Sequence, residues 1–189
     1  MKCGFCSEEV DMEDLEVVSG LHVCKSCIRA TYLPGRLTAK GLHLGYSYRT
    51  EHGEIKIGDE EEIDGTLRKI SALAESPHLS GIQAKLMHQG LGARLKKLVE
   101  KELEIGDKEF DDAVYIRSST RDQTAAFLAI SGVQSAVLQL IRMNSEIDIN
   151  GSKIYIVATN KGPIEVQTWV LHVAALLHYL AEFSSPTPG

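Results

Sequence analysis

All four cysteines of this 189-residue chain lie within its first 27 residues, and their spacing constrains the fold more than any other feature. Cys3 and Cys6 form one C-x2-C pair and Cys24 and Cys27 another. The 17 residues between the pairs fall inside the spacing window of four-cysteine zinc modules. Two residues between cysteines let a tight turn aim both sulfurs at one point about 2.3 Å from a metal, and two such turns complete a tetrahedron. The intervening residues supply what brings the turns together. Leu15-Glu16-Val17-Val18 and Leu21-His22-Val23 read as strands joined at Ser19-Gly20, a hairpin that returns the chain to Cys24. From Ser26 a short helix is expected, ended by Pro34 and Gly35, with its N-terminal dipole favouring the Cys24 and Cys27 thiolates.

Turn, hairpin and turn into helix is the order of a treble-clef zinc finger, expected over residues 1–33 with one structural Zn2+ held by Cys3, Cys6, Cys24 and Cys27. A segment this small has too little apolar core to fold alone, so metal binding worth on the order of 10–16 kcal/mol would be its main stabilisation. Four sulfur ligands leave no open position for water, which argues for a structural rather than a catalytic ion. Two redox C-x-x-C pairs, or a disulfide-linked hairpin, are the alternatives for the same cysteines. No apolar signal-peptide core follows Met1, so the chain is expected in the reducing cytoplasm, where thiolates on a metal are favoured over disulfides. His22 is an alternative ligand, read here as a strand histidine on the hairpin surface.

Cys3-Gly4-Phe5-Cys6 together with Val23-Cys24-Lys25-Ser26-Cys27-Ile28 resembles the N-terminal zinc-binding domain of the Clp-family protein unfoldase. The likeness covers about 30 residues. In that family the module dimerises and docks adaptors and substrates, so the resemblance implies protein interaction; nothing after residue 35 shows an ATPase phosphate loop.

Charge points the same way. The finger carries Lys2, Lys25 and Arg29 against Glu8, Glu9, Asp11, Glu13, Asp14 and Glu16, net −3, and a zinc tetrathiolate adds further negative charge. Phosphate backbones need cationic partners, so the finger suits a protein surface better than nucleic acid. The whole chain, with 20 Lys+Arg against 26 Asp+Glu, is not a general electrostatic trap for nucleic acid either.

After a linker at 34–41, residues 42–183 read as one α+β domain, an antiparallel sheet covered by helices. Leu42, Leu44, Tyr46 and Tyr48 alternate, and after a His52-Gly53 turn Ile55 and Ile57 continue a hairpin. An acidic run from Asp59 is expected to open a helix over 59–77, since carboxylates suit a helix N-terminus. A second helix is expected over 80–104, with Ile82, Leu86, Leu91, Leu95 and Leu98 inward. A strand over 113–117 precedes a third helix over 120–144, where Thr120 and Gln123 match a capping box. Asn150-Gly151 signals a hairpin between Ile147-Asp148-Ile149 and 153–157, a final apolar helix spans 164–183, and 184–189 is a loose tail. The uncharged run 166–181 is shorter than the roughly 20 residues a bilayer core needs, so it reads as a buried helix and no membrane contact is expected. The Gly-Asp-x-x-Phe-Asp-x-x-x-x-Ile pattern from Gly106 to Ile116, with the helix and hairpin after it, resembles a stretch that recurs in bacterial proteins of unknown function. It implies a bacterial origin and no activity.

No catalytic motif is present: there is no G-x-S-x-G, no phosphate-binding glycine loop, no H-E-x-x-H and no cysteine beyond the finger. The chain therefore reads as a non-enzyme with no catalytic residues. Asp107, Glu109, Asp111 and Asp112 could be imagined around a cation, but the structural reading is preferred: Gly106 ends a helix, Asp107 and Asp111 organise turns, and Phe110 fills the core. His172 and His178, six residues apart on one helix, are too far round to share a metal. Lys85, Arg94, Lys97 and Lys101, with Lys96 nearby, form a basic stripe within a stretch, 66–105, that is net +3. That stripe is a candidate partner-binding surface. The sequence thus describes a zinc-containing bacterial interaction or adaptor protein that uses its finger for protein contact or self-association. The alternative is a nucleic-acid-associated regulator whose stripe at 85–101 meets phosphates.

Overall fold

The computed structural model describes residues 1–30, 46–50, 52–63, 66–75, 81–90, 103–159 and 165–184. It is an α+β structure in which the cysteine-rich segment precedes a 7-stranded antiparallel sheet. The N-terminal hairpin forms as its sequence indicates: β1 (Leu15–Val18) pairs antiparallel with β2 (Leu21–Cys24), and α1 (Lys25–Ala30) follows directly. Ser19 and Gly20, with φ of 48° and 83°, turn the chain in the left-handed pattern that matches strand twist in two-residue hairpins.

The large sheet contains β3 (Tyr46–Thr50), β4 (Gly53–Ile63), β5 (Thr66–Glu75), β6 (Gln83–His88), β7 (Val114–Ser118), β8 (Ser145–Asn150) and β9 (Lys153–Thr159). Its spatial order is β3-β4-β5-β9-β8-β6-β7, every neighbour antiparallel. Side chains alternate between its faces. Ile55, Ile57, Ile70, Ala72, Ala74, Ala84, Leu86, Ile116, Ile147, Ile149, Ile154, Ile156 and Ala158 are buried on one face. The other face carries Lys56, Lys85, Asp148 and Tyr155, the last 42% exposed.

The helices are α2 (Lys108–Ala113), α3 (Arg121–Leu128), α4 (Ser131–Arg142) and α5 (Val166–Ser184). α4 and α5 pack on one another against the apolar face, where Trp169 is fully buried and its Nε1 donates to Ser145 Oγ at 3.0 Å. α5 is the buried apolar helix expected, and no single helix among the described residues is long and apolar enough to cross a membrane.

Several expectations are corrected. Of the region expected as a helix over 59–77, residues 59–63 belong to β4 and 66–75 to β5, which pair from Glu54↔Glu75 to Ile63↔Thr66, while 64–65 and 76–77 lie outside the described residues. The start of the helix expected over 80–104 is instead β6, with Ile82, Ala84 and Leu86 buried at every second residue. Residues 91–102 of that expectation lie outside the described residues, as do Leu42, Leu44 and the linker at 34–41. The single helix expected over 120–144 is two, meeting at 93°. The capping box does not form there: Thr120 makes no side-chain cap bond, and its Oγ1 instead accepts from the Gln83 backbone N–H at 2.8 Å. The β8–β9 loop is Gly151-Ser152, since Asn150 pairs with Lys153.

Candidate metal centre

The Cys3–Cys6 turn, the end of β2 and the first turns of α1 converge. Cys3 Sγ lies 3.8 Å from Cys27 Sγ, Cys6 Sγ lies 3.9 Å from Cys24 Sγ, and all four sulfurs fall within 4.8 Å of one another. A regular tetrahedron with metal–sulfur bonds of about 2.3 Å has edges of about 3.8 Å. His22, opposite Val17 on the exposed side of the hairpin, is not part of this group.

Backbone geometry tunes the sulfurs unequally. Cys3 Sγ accepts from the Cys24 N–H at 3.3 Å and the Phe5 N–H at 3.4 Å, and Cys24 Sγ accepts from the Cys27 N–H at 3.4 Å. Burial raises the Cys3 pKa, but N–H bonds from Cys24, Phe5 and Cys6 outweigh it and bring the thiol down to about 7. Burial pushes Cys6 and Cys27 up, and for Cys27 the nearby Cys24 and Cys6 thiols add to the rise. Four sulfurs this close cannot all ionise without a cation, and a bound dication would supply the missing charge while releasing protons. Phe5 and Val23, which precede Cys6 and Cys24 in the chain, are buried.

The site is seated on α5. Ser19, at the tip of the finger hairpin and only 8% exposed, shares a 2.9 Å hydrogen bond with His172 Nδ1. Tyr179 donates its hydroxyl to the Ser19 carbonyl at 2.8 Å, and Gln167 donates to the Ile28 carbonyl at 3.2 Å. Burial holds the His172 pKa below its ordinary value. No sequence pattern announces this seat, because its partners are separated by 139 to 160 residues.

The acidic run after Gly106 is structural. Asp107 caps α2 by accepting from the Phe110 N–H at 3.0 Å, and Asp111 accepts from the Ile105 and Gly106 N–H groups. Glu109 and Asp112 pair with Arg142 and Lys108. Phe110 is fully buried, as expected. Gly106 does not end a helix; it turns an irregular segment with φ 87°.

The basic stripe fares differently. Lys85 sits on β6 rather than on a helix and pairs with Glu146 at 3.1 Å. Arg94, Lys96, Lys97 and Lys101 lie outside the described residues. His172 and His178 do not share a site: His178 faces His52 in the β3–β4 turn, a pairing that sequence reading missed.

Fold and site together define an α+β protein with an N-terminal cluster of four cysteines positioned to bind a metal ion. No protein-family model, curated protein or solved structure matches the chain.

Proposed function

We propose that the cysteines hold one structural Zn2+ in a treble-clef finger and that the protein is a non-catalytic interaction protein, its finger serving protein contact or self-association. The observation that carries the reading is the sulfur spacing of 3.8 and 3.9 Å across two C-x2-C turns, which suits a closed tetrahedral zinc site. A closed site has no position for substrate, which supports a structural ion. Support for contact comes from the outer surface of the finger. Among the described residues, Met12 at 72%, Val17 at 67% and Met1 at 55% are its most exposed large apolar side chains, interspersed with exposed Glu8, Glu9, Asp11, Glu13 and Glu16. That mixture suits a protein partner and repels phosphate.

Elemental analysis of the untagged chain, with thiols counted before and after chelation, tests the zinc. The expected result is one zinc per chain and four thiols that react only after chelator is added. No metal with fewer than four free thiols would make the cysteines a redox device. The contact is tested by comparing wild type with Met12→Asp/Val17→Asp in light scattering across concentration and in cross-linking. The variant should keep zinc and lose association. Identical behaviour of the two proteins would remove the interaction reading and leave the zinc intact.

A further inference from the structure

Asn150-Gly151 carries a covalent chemistry of its own, remote from the cysteines. The backbone nitrogen of a glycine can attack the carboxamide of an asparagine before it, because no Cβ on the glycine hinders the approach. The Gly151 nitrogen bonds to Asn150 Cγ and gives up its proton, the Cγ–Nδ2 bond breaks, and ammonia leaves with that proton. The five-membered succinimide that results takes up water at either carbonyl. One product is aspartate on a normal backbone, the other isoaspartate with an extra carbon in the main chain. Water is the co-reactant, and Asn150 is exposed to it.

The fold restrains both reacting groups. Asn150 is the last residue of β8, paired with Lys153 on β9 and Gln83 on β6. The ψ of about +135° typical of an antiparallel strand turns Cβ and the carboxamide away from the following nitrogen, so ring closure needs the strand end to open. The Gly151 N–H donates to the Ile82 carbonyl at 3.0 Å, and Ile82 is fully buried. Gly151 is itself held at φ 59° in the two-residue loop. Asn144 provides an internal comparison. The residue after it is Ser145, which has a Cβ and is 1% exposed, and the Asn144 carboxamide donates to the Thr159 carbonyl.

We propose that Asn150 is a self-modification site, held closed by the β8–β9 hairpin and the Gly151–Ile82 bond and converted through the succinimide when that end of the hairpin opens. The isoaspartyl product makes the opening one-way. An extra main-chain carbon between Asn150 and Gly151 displaces the loop, so the Asn150↔Lys153 pair and the Gly151–Ile82 bond cannot both re-form.

The test incubates the full zinc-loaded chain at mildly alkaline pH, native and in denaturing guanidinium. Conversion at each asparagine is read by peptide mapping with isoaspartate detection, and exchange of the Gly151 amide is measured on the native chain. In the unfolded chain Asn150 should convert well ahead of Asn144. In the native chain it should convert at least about tenfold more slowly than in the unfolded one, which corresponds to an opening free energy of about 1.4 kcal/mol or more. The slowing should match the protection of the Gly151 amide, because one opening frees both. Ile82→Ala leaves the Asn-Gly chemistry untouched and loosens the residue that supplies the acceptor carbonyl, so conversion and Gly151 exchange should rise by the same factor. Asn150→Asp, the direct product on a normal backbone, should keep the Gly151 amide protected, whereas the isoaspartyl chain separated after incubation should not. Equal rates in the native and unfolded chains overturn the proposal, as does a native rate that does not follow Gly151 protection or an isoaspartyl chain as protected as wild type. Should Ile82→Ala fail to fold, the wild-type rates and exchange decide alone.

Discussion

Tyr179 places a steric demand on one residue and a polar one on another. A Cβ added at Gly132 would lie 2.0 Å from its hydroxyl oxygen and 2.1 Å from Cζ, while that hydroxyl holds the Ser19 carbonyl at 2.8 Å. Gly132→Ala therefore has to expel the ring and break the bond to the finger. Overpacking and a lost buried hydrogen bond together predict a loss of about 2–4 kcal/mol in urea unfolding. The loss should persist in a Tyr179→Phe background, because Cζ remains in the way, and largely vanish in Tyr179→Ala. An equal cost in all three backgrounds would show that Gly132 is needed for something else. At this scale the cysteines were legible and Gly132, Tyr179 and the His52–His178 pair were not. The cysteine pairs are set by turns of four residues, whereas Ser19 meets Tyr179 across 160 positions and His52 meets His178 across 126.

Elements whose two faces differ sharply were readable, and those with mixed faces were misread. In β8 and β9 Ile147, Ile149, Ile154 and Ile156 alternate with polar residues, and the hairpin expected around Asn150-Gly151 forms with its loop one residue on. Gly151 has φ 59° and open space around a Cβ, so Gly151→Ala should cost about 1–2 kcal/mol through conformation alone, read as a lower urea midpoint. An unchanged midpoint would remove that account of the turn. In β5 the apolar residues Leu67, Ile70, Leu73 and Ala74 mimic a helical stripe, yet over the described stretch 69–75 the buried apolar side chains are Ile70, Ala72 and Ala74, a period of two. Asp64-Gly65, the two residues between paired Ile63 and Thr66, is a dipeptide of the strongest hairpin type and was the overlooked signal. Acidic residues in 59–62 suit a helix N-terminus, but here the same residues belong to strand β4.

For the molecule as a whole, the seat of the finger on α5 predicts that metal loss is felt beyond the first 30 residues. The Ser19, Tyr179 and Gln167 bonds all depend on the hairpin and α1 keeping their shape, which a metal would enforce. Chelation should therefore lower amide protection in α5 around Gln167 and His172 as well as in the finger, while β8 and β9 at the centre of the sheet stay protected. Loss confined to residues 1–30 would make the finger an independent unit. The sequence by itself determined the candidate metal centre and the α+β class, because C-x2-C turns, tight hairpins and the apolar run of α5 are local and carry their geometry with them. Only the tertiary structure decided that residues 53–63, 66–75 and 83–88 are strands, that the finger sits on α5 and that two histidines share one gap. A half-buried segment acquires its period from what packs against it, and a side chain far along the chain acquires its partner only when the sheet and helices have closed.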